Sequence, residues 1–374
     1  MSDLPQADRI AGLPHPCETE HLFGHDAACA QVLEAFNSDR MHHAWMLTGP
    51  KGIGKASLAY HIARFLLATE PPGDSLFGTP PLTTSLFVPA DHPVASRIRA
   101  GSEPGLCILR RPVDDKTSKL KTVIPVDTVR ELRRFFSLSA GGNGRRVVIV
   151  DCTDEMNANA ANALLKVLEE PPQDAVLLLV THQPSQILPT IRSRCRTLAC
   201  TPLSPEDLQH AFAQALPEQT FDPGLTALVA GSVGQAAKLS LTGGADTYGA
   251  IVSLCQGLPQ LDRSALLKLA NSTGRASDGK LEQLLDLLDL FLARLARAGV
   301  SPPVQEAARG EAAVFARLCP GPAAARIWAN AQLELSQRAW QGKTANLDPS
   351  SLILDMGLKI EETASKILRE KGLS

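Results

Sequence analysis

The chain has 374 residues, too many for one ordinary hydrophobic core and suited to two or three domains. With 44% apolar and 20% charged residues it can build buried cores, which excludes a disordered chain. Its formal net charge of -2 excludes a global field that would draw it onto DNA or a membrane, so any nucleic-acid contact must come from a local patch.

The first thirty residues carry charges and prolines without a long apolar stretch, so no signal peptide is expected. No window reaches the ~18 consecutive apolar residues of a membrane span. Eight cysteines occur and none forms a CxxC pair, which predicts reduced, mostly buried thiols and a cytoplasmic protein. From His42 to Ala68 the pattern predicts strand, glycine loop and helix. Ala44–Leu47 is a short apolar run, and Leu58, Ile62, Phe65 and Leu66 recur at helical spacing. Residues 71–106, rich in Pro, Gly and Ser, read as a long surface insertion. A helix is expected after Pro125, capped by Asp127 or Thr128.

Val147–Val150 and Ala175–Val180 read as strands buried on both faces, the mark of a parallel sheet covered by helices on either side. Between them a helix is expected over 159–170, ended by Pro171 and Pro172. After Thr201 the strand signals stop. Ser204 and Pro205 open a helix, Gly231–Gly234 punctuates a small helical unit ending near Gly243, and helices continue from Leu281–Ala298 to one capped by Asp348. This predicts an α/β domain over 1–201, a small helical unit over 202–243 and an all-helical domain over 244–374.

Gly49, Pro50, Gly52, Gly54 and Lys55 fit the first seven positions of the phosphate-loop pattern G-x-x-x-x-G-K-[ST]. The glycines let backbone N–H groups converge on phosphate oxygens, the helix N-terminus adds its dipole, and Lys55 supplies a point charge. The eighth position, whose hydroxyl should hold Mg²⁺, is Ala56; Ser57 follows, rotated about 100° around the helix. A relic loop and a working one both remain open. Asp151 ends the first buried strand, where a metal-holding carboxylate is needed, and Thr181 ends the second. The residue after Asp151, where hydrolysis needs a base to orient water, is Cys152; Asp154 and Glu155 lie past the strand end. Such a site is expected to bind ATP and Mg²⁺ weakly at most and not to hydrolyse.

Met156-Asn157 and the run from Ala160 to Pro172 resemble the sequence after the Walker B strand in bacterial clamp-loader subunits of the AAA+ class. Ser193, Arg194 and Cys195 resemble their SRC motif. Phe23–His25, His43–Lys55 and Ile124–Leu132 agree in order and spacing, so the resemblance covers residues 20–243 and fades beyond. It implies an AAA+ domain, a helical lid and an oligomerising collar, with gamma/tau and delta subunits, the sliding clamp and primer–template DNA as partners. It also implies that Arg194 is an arginine finger acting on a neighbour's ATP, and a zinc module that the single Cys107 of that region cannot supply, so no zinc or other metal is expected. Ala56, Cys152 and Gly234, at the place of a sensor arginine, depart from the hydrolysing gamma/tau branch and favour the delta-prime branch. The alternative is an active ATPase of the gamma/tau branch, using Ser57 with Asp154 or Glu155. A small-molecule kinase explains neither the SRC segment nor the helical C-terminal third.

Residues 110–146 hold ten Lys/Arg against four acids, an excess of six. Arg130, Arg133 and Arg134 are the candidates for facing DNA phosphates, and a solvated basic face fits the same pattern.

Overall fold

The computed structural model describes residues 5–70, 82–114, 116–137, 144–272, 279–345 and 347–370. Residues 71–81 of the expected insertion, and Asp115 and residues 138–143 of the basic segment, lie outside them. Strands β1 (Ala44–Thr48), β2 (Leu106–Arg110), β3 (Arg146–Asp151), β4 (Ala175–Thr181) and β5 (Arg196–Ala199) form one parallel sheet in the order β2-β3-β4-β1-β5. The register sets Thr48 opposite Thr181, and Asp151 opposite Val180 and Arg110. The phosphate loop, the carboxylate and the threonine therefore emerge at one end of the sheet, which is what positions the site.

Among the described residues, six helices cover the sheet: α1 (Asp26–Asn37), α2 (Lys55–Ala68), α3 (Pro93–Arg99), α4 (Val126–Ser137), α5 (Ala158–Glu169) and α6 (Pro189–Arg192). Alternate residues of the central strands face opposite ways, so each strand feeds two cores. Val147, Ile149 and Leu178 pack with α1, α2 and α3. Val148, Val150 and Leu177 pack with α4, α5 and α6. This is the two-faced α/β domain with a parallel sheet that the apolar runs predict.

Two local expectations are corrected. Within the stretch read as a surface insertion, Val94, Ala95 and Ile98 of α3 are buried and Leu106 opens the edge strand β2. A seven-residue helix and a five-residue strand set among prolines are too short for periodicity to announce. Helix α4 begins at Val126, so Asp127 and Thr128 lie in its first turn and do not cap it. Helix α5 is capped by the Asn157 side chain, which accepts from Ala160 N at 2.8 Å.

Beyond β5 the chain is helical: α7 (Pro205–Ala215), α8 (Gly224–Val229), α9 (Val233–Leu241), α10 (Gly244–Gln256), α11 (Arg263–Asn271), α12 (Lys280–Ala298), α13 (Glu311–Leu318), α14 (Pro322–Thr344) and α15 (Pro349–Glu370). Ser204 caps α7 by accepting from Asp207 N at 3.1 Å, and Asp348 accepts from Ser351 N at 2.9 Å at the start of α15. Internal contacts divide the chain into two compact units, residues 1–218 with 231–237, and residues 219–230 with 238–374. Among the described residues no helix is long and apolar enough to cross a membrane.

Candidate functional site

The loop between β1 and α2 has the phosphate-cradle backbone. Gly49 and Gly52 hold φ of +146° and +80°, where an L side chain is strained. A Cβ would meet Cys200 O at 2.3 Å in the first case and Ser232 Oγ at 2.4 Å in the second. Lys55 is buried and its ammonium donates to Gly49 O at 2.7 Å and to Pro50 O. Burial pushes its pKa down. The charge meant for phosphates is thus folded back onto the loop's own carbonyls. Beneath the loop, His25 Nε2 lies 2.8 Å from Ile53 O, and burial lowers the pKa of that imidazole.

The start of α9 is sewn to the same loop. Ser232 Oγ donates to Lys51 O at 3.0 Å, and Gly234 N donates to Gly52 O at 2.9 Å. A Cβ at Gly234 would lie 2.9 Å from Ile10 Cδ1 and 3.2 Å from Gly52 Cα. The position to which the resemblance assigns a sensor arginine is therefore filled by close backbone packing and by a residue of the N-terminal segment. That segment gave no signal in the sequence. Its Asp8 side chain, fully buried, pairs with Arg110 and with His15 at 3.2 Å and accepts from Tyr60 OH at 3.0 Å. Burial alone would raise the Asp8 pKa, but His15, Arg110 and Tyr60 hold it down at about 2.

Asp151 is buried at the end of β3. Burial first, then the charges of Asp8 and Glu155, push its pKa up to about 7, against the opposing pull of Arg110 and Lys55. Every group that the hydrolysing alternative would recruit already has a partner. Ser57 Oγ is 3.0 Å from Thr19 Oγ1. Asp154 accepts from Cys152 Sγ at 2.9 Å and from His182 N at 3.1 Å. Burial raises its pKa, yet the donors around it, the Cys152 thiol first, outweigh that and leave it below the ordinary value. Glu155 forms an ion pair with Arg111 at 2.6 Å. A carboxylate stabilised in its charged form by such donors is a weak base toward water.

Arg194 lies in the turn between α6 and β5, about a third exposed. Its Nη1 donates to Thr190 O at 3.0 Å and its Nη2 pairs with Glu169 Oε1 at 2.9 Å. Beside it, Ser193 Oγ also donates to Thr190 O, and burial raises the half-buried Cys195 thiol to about 12. On the same face of the sheet, α4 and α5 enclose a groove of about 430 Å³. Arg130, Arg133, Lys166, Asn159 and Asn162 are in its lining; Arg134 is not. Arg130 is paired with Asp127 at 2.9 Å on the surface.

Comparison with known proteins places this arrangement. The family described as DNA polymerase III, delta subunit, matches residues 24–204, the stretch that holds the loop, Asp151 and the SRC turn. The delta' subunit of Pseudomonas aeruginosa is 40% identical over 177 residues, covering 47% of this chain and 48% of that protein. The delta' subunit of Escherichia coli K12 is 32% identical over 248 residues, covering 64% of this chain and 67% of that one. The chain belongs to the delta-prime family of DNA polymerase III subunits. The gamma/tau subunit of Mycobacterium tuberculosis is also related, 28% identical over 200 residues that cover 53% of this chain and 31% of that protein. The chain spans about half the length of the Pseudomonas relative. Of the three departures from the hydrolysing branch, Cys152 donates its thiol to Asp154 and Gly234 donates its N–H to Gly52 O, contacts that the chain makes with itself.

Proposed function

We propose that this chain is the delta-prime subunit of a bacterial clamp loader, a scaffold that does not hydrolyse ATP itself and lends Arg194 to the ATP site of an adjacent gamma/tau subunit. One observation carries the reading: the groups of its own site, Lys55, Ser57, Asp154 and Glu155, are bound within the chain, while the Arg194 side chain, although paired with Thr190 O and Glu169, stays 37% exposed at the SRC turn. An arginine that reaches a neighbour's γ-phosphate neutralises charge developing in phosphoryl transfer, an effect of about 10³-fold or more at that site. The partners are then gamma/tau and delta subunits and, through the complex, the sliding clamp and primer–template DNA, in the cytoplasm. No cofactor is required, ATP and Mg²⁺ bind weakly at most, and no zinc is used. Residues 1–201 form the nucleotide-binding-like domain, 202–243 the lid, and 244–374 the collar that joins the ring.

The purified chain is expected to turn over no ATP above background. In the reconstituted complex, Arg194→Ala is expected to assemble normally and to lower DNA- and clamp-stimulated ATPase severalfold. Brisk turnover by the isolated chain, or unchanged ATPase of the complex, overturns the reading. The groove between α4 and α5 offers Arg130, Arg133 and Lys166 to DNA phosphates without reading bases. Arg133→Ala is expected to weaken DNA binding by the complex and to flatten its salt dependence by about one phosphate contact. An unchanged slope in a salt titration assigns that cation to a solvated face.

A further inference from the structure

We propose that Glu169 is the positioning residue for Arg194, an inference that rests on the trans-acting reading of that arginine. Glu169 is the last residue of α5, which Pro171 and Pro172 forbid to continue. The helix is clamped behind it: Ala160, Ala161, Leu164 and Leu168 are buried against the sheet, and Glu170 N closes the last turn onto Lys166 O at 3.2 Å. The carboxylate thus projects from a rigid support. Arg194 projects from a turn only a few residues long, tied by Ser193 N to Pro189 O and by Arg194 N to Ile191 O.

A long side chain on such a turn would sweep many rotamers. Here one edge of its guanidinium is fixed at two points, the carbonyl of Thr190 and the carboxylate of Glu169. The planar fork carries five N–H groups, so the remaining ones stay available to a second acceptor in a defined direction. The side chains are 37% and 49% exposed, so the pair lies in water and is too weak to serve as a support of the fold. Its consequence is orientation: an arginine already aimed loses less freedom when it binds a phosphate. The same weakness lets a polyphosphate, with more charge and bidentate geometry, share or displace the carboxylate.

The test uses the reconstituted clamp loader with Glu169→Ala, Glu169→Gln, Arg194→Ala and the double substitution Glu169→Ala/Arg194→Ala, with assembly checked by co-purification. Glu169→Ala is expected to lower kcat of the DNA- and clamp-stimulated ATPase three- to tenfold with KM for ATP unchanged. Glu169→Gln, which keeps an acceptor and loses the charge, is expected to fall between it and wild type. The double variant should be no slower than Arg194→Ala alone. If Arg194→Ala is slow while Glu169→Ala has an unchanged or raised kcat, Glu169 does not position the arginine. Should Glu169→Ala fail to assemble, the near-isosteric Glu169→Gln decides, and full kcat there overturns the proposal. An Arg194→Ala complex with normal ATPase removes the trans-acting reading itself, a distinct failure.

Discussion

Asp151 and Asp8 are buried carboxyls driven in opposite directions. Asp8 keeps His15, Arg110 and Tyr60 around it and is held at about 2; Asp151, with its carboxyl neighbours Asp8 and Glu155, rises to about 7. For Asp151 the native state therefore binds its proton more tightly than the unfolded chain, whose ordinary value is 3.8. The associated stability is complete below that ordinary value and is lost as pH rises through about 7. At pH 8 the native state thus carries a burial penalty of up to about 4 kcal/mol for this one charge. Asp151→Asn should raise the denaturant midpoint, and the gain should be larger at pH 8 than at pH 5 by about 3 kcal/mol. Equal gains at both pH values would mean that Asp151 ionises at an ordinary pH. His15 is the complementary case. Burial lowers its pKa, but Asp8 lifts it to about 9, so its contribution is full below 6.5 and lost as pH rises through 9. In Asp8→Asn, NMR titration of His15 is expected to move from about 9 to 6.5 or below.

Among the elements, those that were legible in the sequence are those whose signal is local. β3 reads as a strand buried on two faces because Val147 to Val150 alternate between two cores, so no position tolerates a polar residue. The end of α5 reads from its prolines and the start of α7 from Ser204. The phosphate loop, Asp151 and the SRC turn are contiguous motifs and were legible for the same reason. The N-terminal segment was not, because its determining contacts join residues 52 and 102 positions apart, Asp8 to Tyr60 and to Arg110. The seam between the phosphate loop and α9 was equally hidden: Ser232 and Gly234 carry no residue-type signature for a contact made with Lys51 and Gly52 across more than 180 positions. That seam can be tested. Gly52→Ala must hold a φ of +80° and place its Cβ 2.4 Å from Ser232 Oγ, so it is expected to cost about 1–3 kcal/mol. Adding Ser232→Ala should recover the steric share and leave the backbone share, read as a positive coupling in a double-mutant cycle. Strict additivity would mean that the loop does not rest on Ser232.

For the whole molecule, the division into two units puts residues 219–230 with the C-terminal helices although they precede 231–237 in the chain. A buried ionic network explains the grouping. Glu311 has no exposed surface; it accepts from Arg294 Nε and Nη2, each at 2.9 Å, from Ala307 N at 2.6 Å and from Tyr248 OH. The third arm of Arg294, Nη1, donates to Ala227 O at 2.7 Å, and Gln305 Nε2 donates to Pro223 O at 2.9 Å. The guanidinium thus ties the 219–230 segment to α12 and α13. Removing one member of a buried pair strands the other charge, so Glu311→Ala is expected to cost about 3–5 kcal/mol. The loss should be confined to the second unit: amide exchange should accelerate in α8 and α10–α15 while β1–β5 keep their protection. Replacing both partners, Glu311→Leu with Arg294→Met, leaves no stranded charge and should recover much of the stability, since apolar packing can match a buried ion pair. A double variant as unstable as Glu311→Ala would mean that the hydrogen bonds to Ala227, Ala307 and Tyr248, rather than the stranded charge, hold the segment in place.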